Sequence, residues 1–167
     1  MKTIKTLIYA FGNPGRRDDG LGCAFVNDLK TWINNQGLEG FDFDCNYQLN
    51  IEDAHNISGK DLVIFVDASM EDIDDFVLTK VDESSDISFT SHEASPGYIY
   101  YLCRELFDKN PATYLLHIKG YDWKFKEGLT VEAKKNLSSS LAFIKKQLQN
   151  RQKLIDEFRL SNILKQK

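Results

Sequence analysis

The chain has 167 residues, a net charge of −4 and 42% hydrophobic content. That length is ordinary for a single globular domain with a real core. The acidic balance argues against general nucleic-acid binding, which is driven by phosphate neutralisation. No stretch approaches 18 apolar residues, so no membrane span is expected. The N-terminus leads straight into a strand pattern without the apolar segment of a signal peptide, which points to a cytoplasmic protein.

Cys23, Cys45 and Cys103 are widely spaced and form no CxxC pair. A structural zinc knot is therefore not expected, and reduced, mostly buried thiols are.

The first predicted element is a strand from Ile4 to Phe11. A loop rich in glycine and acid follows, Gly12-Asn13-Pro14-Gly15-Arg16-Arg17-Asp18-Asp19-Gly20-Leu21-Gly22. Leu21, Phe25, Val26, Leu29, Trp32 and Ile33 then repeat at helical spacing, up to Gly37, the usual residue past a C-terminus. A strand is expected around Phe41 to Gln48 and a short helix over about Glu52 to Ile57.

Leu62-Val63-Ile64-Phe65-Val66 reads as a strand buried on both faces of a parallel sheet. It runs into Asp67, which falls at the carboxyl end, where open α/β sheets place ligands. The acids Glu71, Asp72, Asp74 and Asp75 read as a solvated loop. Phe76 to Val81 reads as a strand at or near the sheet edge. Ser91-His92-Glu93-Ala94-Ser95-Pro96 opens a helix with Ile99, Leu102, Cys103 and Leu106 on its apolar face, and Pro96 suits its first turn. Ala112 to Ile118 is another apolar strand. Thr130 caps a long helix with Val131, Leu137, Leu141, Ile144 and Leu148 on one face. The basic segment after it, residues 150–167, either continues that helix or packs back as a separate one, with a partner-binding or membrane-surface helix as the sharper alternative.

Alternating strands and helices predict an α/β fold, with helices on both faces of a central sheet. The organisation expected is an α/β domain over 1–149 and a basic amphipathic helical extension over 150–167.

Asp19, Asp67 and His92 are the candidate site. Two carboxylates and an imidazole form a common ligand set for a divalent transition metal. With coordination positions left open, such a metal acidifies a bound water or polarises a carbonyl. Spacing alone leaves other roles open: Asp19 or Asp67 as a cap, and His92 as a surface residue at a helix entry. The loop has no GxGxxG or GxxxxGK[ST] pattern, and its two acids repel phosphate, so a nucleotide site is disfavoured. His55 and His117 read as structural. No GxSxG or HExxH sequence is present.

These residues resemble a known family. Gly12-Asn13, four residues, then Asp18-Asp19-Gly20-Leu21-Gly22 is similar to the GN-x4-D[DE]G-x-G signature of the hydrogenase maturation proteases. Val66-Asp67-Ala68 resembles that family's second motif, Ser91-His92-Glu93 its third, and Phe125-Lys126-Glu127-Gly128-Leu129-Thr130 the segment entering its last helix. The resemblance spans about residues 4–148.

It implies a three-layer α/β/α fold with a twisted, mainly parallel sheet. It implies an endopeptidase, metal-dependent or aspartic-type, that removes the C-terminal extension from a nickel-iron hydrogenase large-subunit precursor after nickel insertion. The ligands it implies are Asp19, Asp67 and His92, acting through a divalent metal, nickel above all, either resident or supplied by the substrate. Gly12, Asn13, Asp18, Gly20, Gly22 and Glu93 support them. The partner implied is the precursor, with no nucleic acid.

Two features depart from the family pattern: the basic Pro14-Gly15-Arg16-Arg17 filling of the first loop, and the extension after residue 149. Gly12-Asn13-Pro14-Gly15 also resembles peptidyl-tRNA hydrolase, but the His-Asn pair expected after the loop is replaced by Asp18-Asp19-Gly20. A non-catalytic interaction protein on the same fold is the remaining alternative.

Overall fold

The computed structural model describes residues 2–83 and 94–165, with side chains through Ser161. Five strands form one sheet in the order β2-β1-β3-β5-β4. They are β1 (Thr6–Phe11), β2 (Phe41–Asn46), β3 (Leu62–Ser69), β4 (Phe76–Lys80) and β5 (Ala112–Lys119). All pairings are parallel except β4 with β5, so β4 is an antiparallel edge strand. The helices are α1 (Leu21–Gln36), α2 (Asp53–Ser58), α3 (Pro96–Phe107), α4 (Val131–Leu148) and α5 (Arg151–Lys165). This is the expected α/β/α sandwich.

The alternation along each strand builds two cores. Ile8, Ala10, Leu62, Ile64, Val66, Leu116 and Ile118 face α1, α4 and α5. Leu7, Tyr9, Val63 and Phe65 face α2 and α3, meeting Ala54, Ile57, Ile99 and Cys103. The β3 run is fully buried from Leu62 to Val66, as a strand covered on both faces must be.

Helix ends follow local chemistry. Thr130 Oγ1 accepts from Ala133 N–H at 3.2 Å and Ser95 Oγ from Tyr98 N–H at 3.1 Å, both N-caps. Gly37 closes α1 in the left-handed conformation. Two expected core positions lie outside instead: Val131 is in the first turn of α4 and Leu106 in the last turn of α3, and both are exposed. At helix ends the apolar stripe has run past the sheet it packs on.

Residues after 149 do not continue α4. They turn back as α5, which buries Leu154, Ile155 and Phe158 in the core. Arg151 donates to Ile4 O, Thr6 Oγ1 and Glu39 O at 2.9–3.0 Å and stacks on Phe41 at 4.2 Å. Arg151 thus ties α5 to the residues that enter β1 and β2.

The cysteine expectation needs correction. Cys23 and Cys45 form a disulfide with a Cα–Cα distance of 5.7 Å, well inside the bonding range. Parallel pairing puts Cys45 beside Ala10, and the start of α1 lies over that pair of strands. Their 22-residue separation in sequence hides this adjacency. Cys103 is free and buried, as expected.

Among the described residues no helix is long and apolar enough to cross a membrane.

Candidate functional site

The four parallel strands end on one rim of the sheet. β1 has its last β3 partner at Val66, while β3 runs on to Ser69 alongside β5. Asp67 is therefore not the strand's last residue. It is the first residue of β3 with no β1 neighbour, which leaves its side half-buried at the rim. Val63 and Phe65 belong to the α2/α3 face, so by alternation Asp67 lies on that face too.

Asp19 reaches the same rim through a short 3-10 turn, Arg17–Gly20. That turn and the start of α1 pack against the end of β3. Gly22 shows how closely: a Cβ there would stand 3.0 Å from Val66 O and 3.1 Å from Ala10 Cβ. Any larger residue would push the turn, and Asp19 with it, off β3.

Asp19 is not a cap. Gly20 is the N-cap residue of α1 and makes no side-chain cap. Asp19 Oδ2 instead accepts from Asn13 N–H at 2.8 Å. A Cβ at Gly12, whose φ is +142°, would lie 3.2 Å from Asp19 Oδ1 and 2.3 Å from Asp19 O. Gly12 and Asn13 thus fix the carboxylate from beneath.

Asp18, one residue earlier, has a separate task. It is fully buried. Its carboxylate accepts from Tyr121 N–H and Asp122 N–H, and from Thr130 N–H and Oγ1–H, at 2.8–3.2 Å. Asp18 N–H donates to Asp122 O, and Arg17 N–H to Lys126 O. The first loop is stitched to the 120–130 loop by this carboxylate together with those backbone bonds and the Arg17–Asp122 ion pair. Gly120 permits the approach, because a Cβ there would meet Asp18 Cβ at 2.9 Å.

His92 and Glu93 lie outside the described residues. The first residues after them are Ala94, which packs against the α2/α3 core, and Ser95, the N-cap of α3. Among the described residues no group of three His, Cys, Asp or Glu side chains is placed to hold a metal. Asp19 and Asp67 stand on one rim of the sheet, brought there by two separate segments.

His117, expected to be structural, stands beside Asp67 in the sheet. It pairs in register with Asp67 on the neighbouring strand and so shares its face. His117 Nε2 lies 3.1 Å from Thr79 Oγ1 on β4. Burial pushes its pKa below the usual histidine value, opposed by nearby Glu71. Nothing local in Leu115-Leu116-His117-Ile118 signals this; only the strand order brings it beside Asp67. Beneath the rim, Tyr9 OH donates to Asp53 Oδ2 at 2.9 Å and accepts from Asn46 Nδ2 at 2.7 Å. Asp53 also accepts from Asn50 N–H and Asn56 Nδ2, which anchors α2. Burial is the largest cause raising the Tyr9 pKa, so this hydroxyl stays protonated.

No family model and no curated protein matches the sequence. Solved structures do. The chain is similar to the nickel-iron hydrogenase maturation protease HycI from Thermococcus kodakarensis KOD1, with 18% identity and a TM-score of 0.70 over 88% of this chain and 94% of that one. It is similar to the E. coli hydrogenase maturating endopeptidase HybD, with 15% identity and a TM-score of 0.71 over 89% and 94%. A hydrogenase 2 maturation peptidase from a Thaumarchaeota archaeon aligns at 16% identity, with a TM-score of 0.61 over 86% and 97%.

The chain has the fold of the hydrogenase maturation proteases. Each alignment takes in nearly the whole of the other chain.

Proposed function

We propose that this protein is an endopeptidase that trims the C-terminal extension of a nickel-iron hydrogenase large-subunit precursor once nickel is in place. In this reading Asp19, Asp67 and His92 hold the metal. The observation that carries it is the placement of Asp19 and Asp67, from two separate segments, on one rim of a fold shared with maturation proteases.

The donor chemistry fits. Two carboxylates and one imidazole suit a borderline divalent ion such as nickel or zinc. Such an ion supplies Lewis acidity, polarising a peptide carbonyl or acidifying a water. The nickel is either resident or carried in by the precursor as part of the substrate.

The chain's own residues do the positioning. Asn13 N–H holds Asp19 Oδ2, so this carboxylate is oriented before any ligand arrives. Asp18 keeps the two flanking loops together. Asp67 is held by the β3–β5 ladder, which continues for two residues beyond it. A site on such supports loses little entropy when substrate binds.

The test incubates the protein with a nickel-loaded precursor and with the nickel-free form, following the C-terminal tail by mass spectrometry. The expected result is a tail released only from the nickel-loaded form, slowed at least about 100-fold in Asp19→Ala and Asp67→Asn. Casein should remain intact. A tail uncut under both conditions refutes the peptidase reading, and equal trimming by Asp19→Ala refutes the site.

A further inference from the structure

The two arginines in the first loop are adjacent in sequence, and the Nε of each is enclosed without a hydrogen-bond partner, but only Arg17 has a carboxylate beside it. Arg17 is committed: its Nε forms an ion pair with Asp122 Oδ2 at 3.2 Å. Arg16 is not. Its Nε is enclosed and has no hydrogen-bond partner, and no carboxylate among the described residues pairs with its guanidinium. The group instead lies over the Phe125 ring, with Cζ 5.4 Å from the centroid.

Phe125 is 87% exposed, an uncommon place for a phenylalanine unless something covers it. The two residues are held at this distance by backbone pairing between Arg16 and Lys126. Arg16 O also accepts from Asp19 N–H at 3.2 Å, so this cation stands on the backbone that carries the candidate site. An enclosed, unpaired N–H is a standing cost. A guanidinium that lies over an aromatic ring with its Nε enclosed still has its two terminal nitrogens to offer, and that end of the fork matches a carboxylate bidentately.

We propose that Arg16, laid on Phe125, binds a carboxylate of the polypeptide substrate, namely an acidic side chain close to the bond at the Asp19–Asp67 rim. This rests on the peptidase reading. It gives that reading a substrate class: a segment with an acidic residue near the cut. A carboxylate suits the site better than a nucleic-acid backbone. One fork serves one carboxylate, whereas Glu71, Asp72, Asp74 and Asp75 follow β3 on the same rim and would repel a polyanion.

The test reads the protein by NMR, using 15N-labelled arginine side chains and backbone amides of the 120–130 loop. The probes are acetyl-Gly-Glu-Gly-amide and acetyl-Gly-Gln-Gly-amide. The Glu peptide should move the Arg16 Nε–H resonance, assigned by its loss in Arg16→Lys, and the Gln peptide should not. Binding of the Glu peptide, followed on the loop amides, should weaken about fivefold in both Arg16→Gln and Phe125→Ala. Equal response to the two peptides, or unchanged binding in Arg16→Gln, overturns the proposal. Response to inorganic phosphate or a short RNA without response to the Glu peptide assigns the cation to phosphate and overturns it as well.

The precursor assay separates the two readings. Trimming that continues while the Arg16 signal stays still removes this inference alone. A selective Glu response beside an uncut tail removes the peptidase reading alone.

Discussion

Replacing Asp18 by alanine tests whether the rim is assembled as described. The wild-type carboxylate accepts from three backbone N–H groups and one hydroxyl at 2.8–3.2 Å. Each such bond to a charged acceptor is worth about 1.5–3 kcal/mol, and each buried N–H left unpaired costs about 1–3 kcal/mol. These figures do not add, because water can enter the vacated space and re-pair some donors. A net loss of about 4 kcal/mol is expected, a large fraction of the 5–15 kcal/mol typical of a domain.

Urea unfolding at neutral pH, read by tryptophan fluorescence, gives the number. With a slope of about 2 kcal/mol/M the midpoint should fall by about 2 M. Asp18→Asn keeps one acceptor oxygen but points an NH₂ at the other donors, so its loss should lie between wild type and alanine. Thr130→Ala should remove the α4 cap and the hydroxyl donor together, and its effect should be less than additive with Asp18→Ala because the groups share one network. If Asp18→Ala unfolds within about 1 kcal/mol of wild type, the 12–20 and 120–130 loops are not held by this carboxylate. The account of how those two loops are joined would then fail with it.

Two further outcomes follow from the same geometry. Gly12→Ala places a Cβ 2.3 Å from Asp19 O at a φ of +142°; strain there should lower stability by about 2 kcal/mol or more and weaken trimming more than a distant mutation of equal destabilisation, whereas an unaltered urea midpoint would contradict the close packing. Thiol titration without reductant should count no reactive cysteine in the folded protein at pH 8, since Cys23 and Cys45 are bonded and Cys103 is buried with its pKa pushed up to about 11; it should count one after denaturation and three after reduction, and an early count of two would refute the disulfide.

What the sequence made legible was local. The β3 run, the Thr130 cap and the Gly37 stop each depend on residues within one or two turns of chain, and each appears where periodicity and capping chemistry place it. What it concealed was set by register and distance. β3 extends to Ser69 because β5 is there to pair with it, which no property of Asp67-Ala68-Ser69 announces. The Cys23–Cys45 bond follows from β2 lying beside β1. Asp18 finds its partners 103–112 residues away. His117 meets Asp67 only because β5 follows β3 in the sheet order.

Two adjacent acids in the first loop are held differently, and the ligand role proposed above falls to only one of them. A carboxylate meant for a ligand must keep acceptor capacity, so it cannot also be the group that saturates a loop's donors. Asp18 takes the saturated role, with four hydrogen bonds and no exposure. Asp19 takes one backbone N–H on one oxygen and remains half-buried at the rim. Gly12 sets how near Asp19 stands to the end of β1, and Gly22 how near the turn stands to the end of β3, since either would force the backbone apart if it carried a Cβ. The loop's pattern is thus chiefly an instruction for packing one strand end against another, and the chemistry proposed for Asp19 depends on that packing.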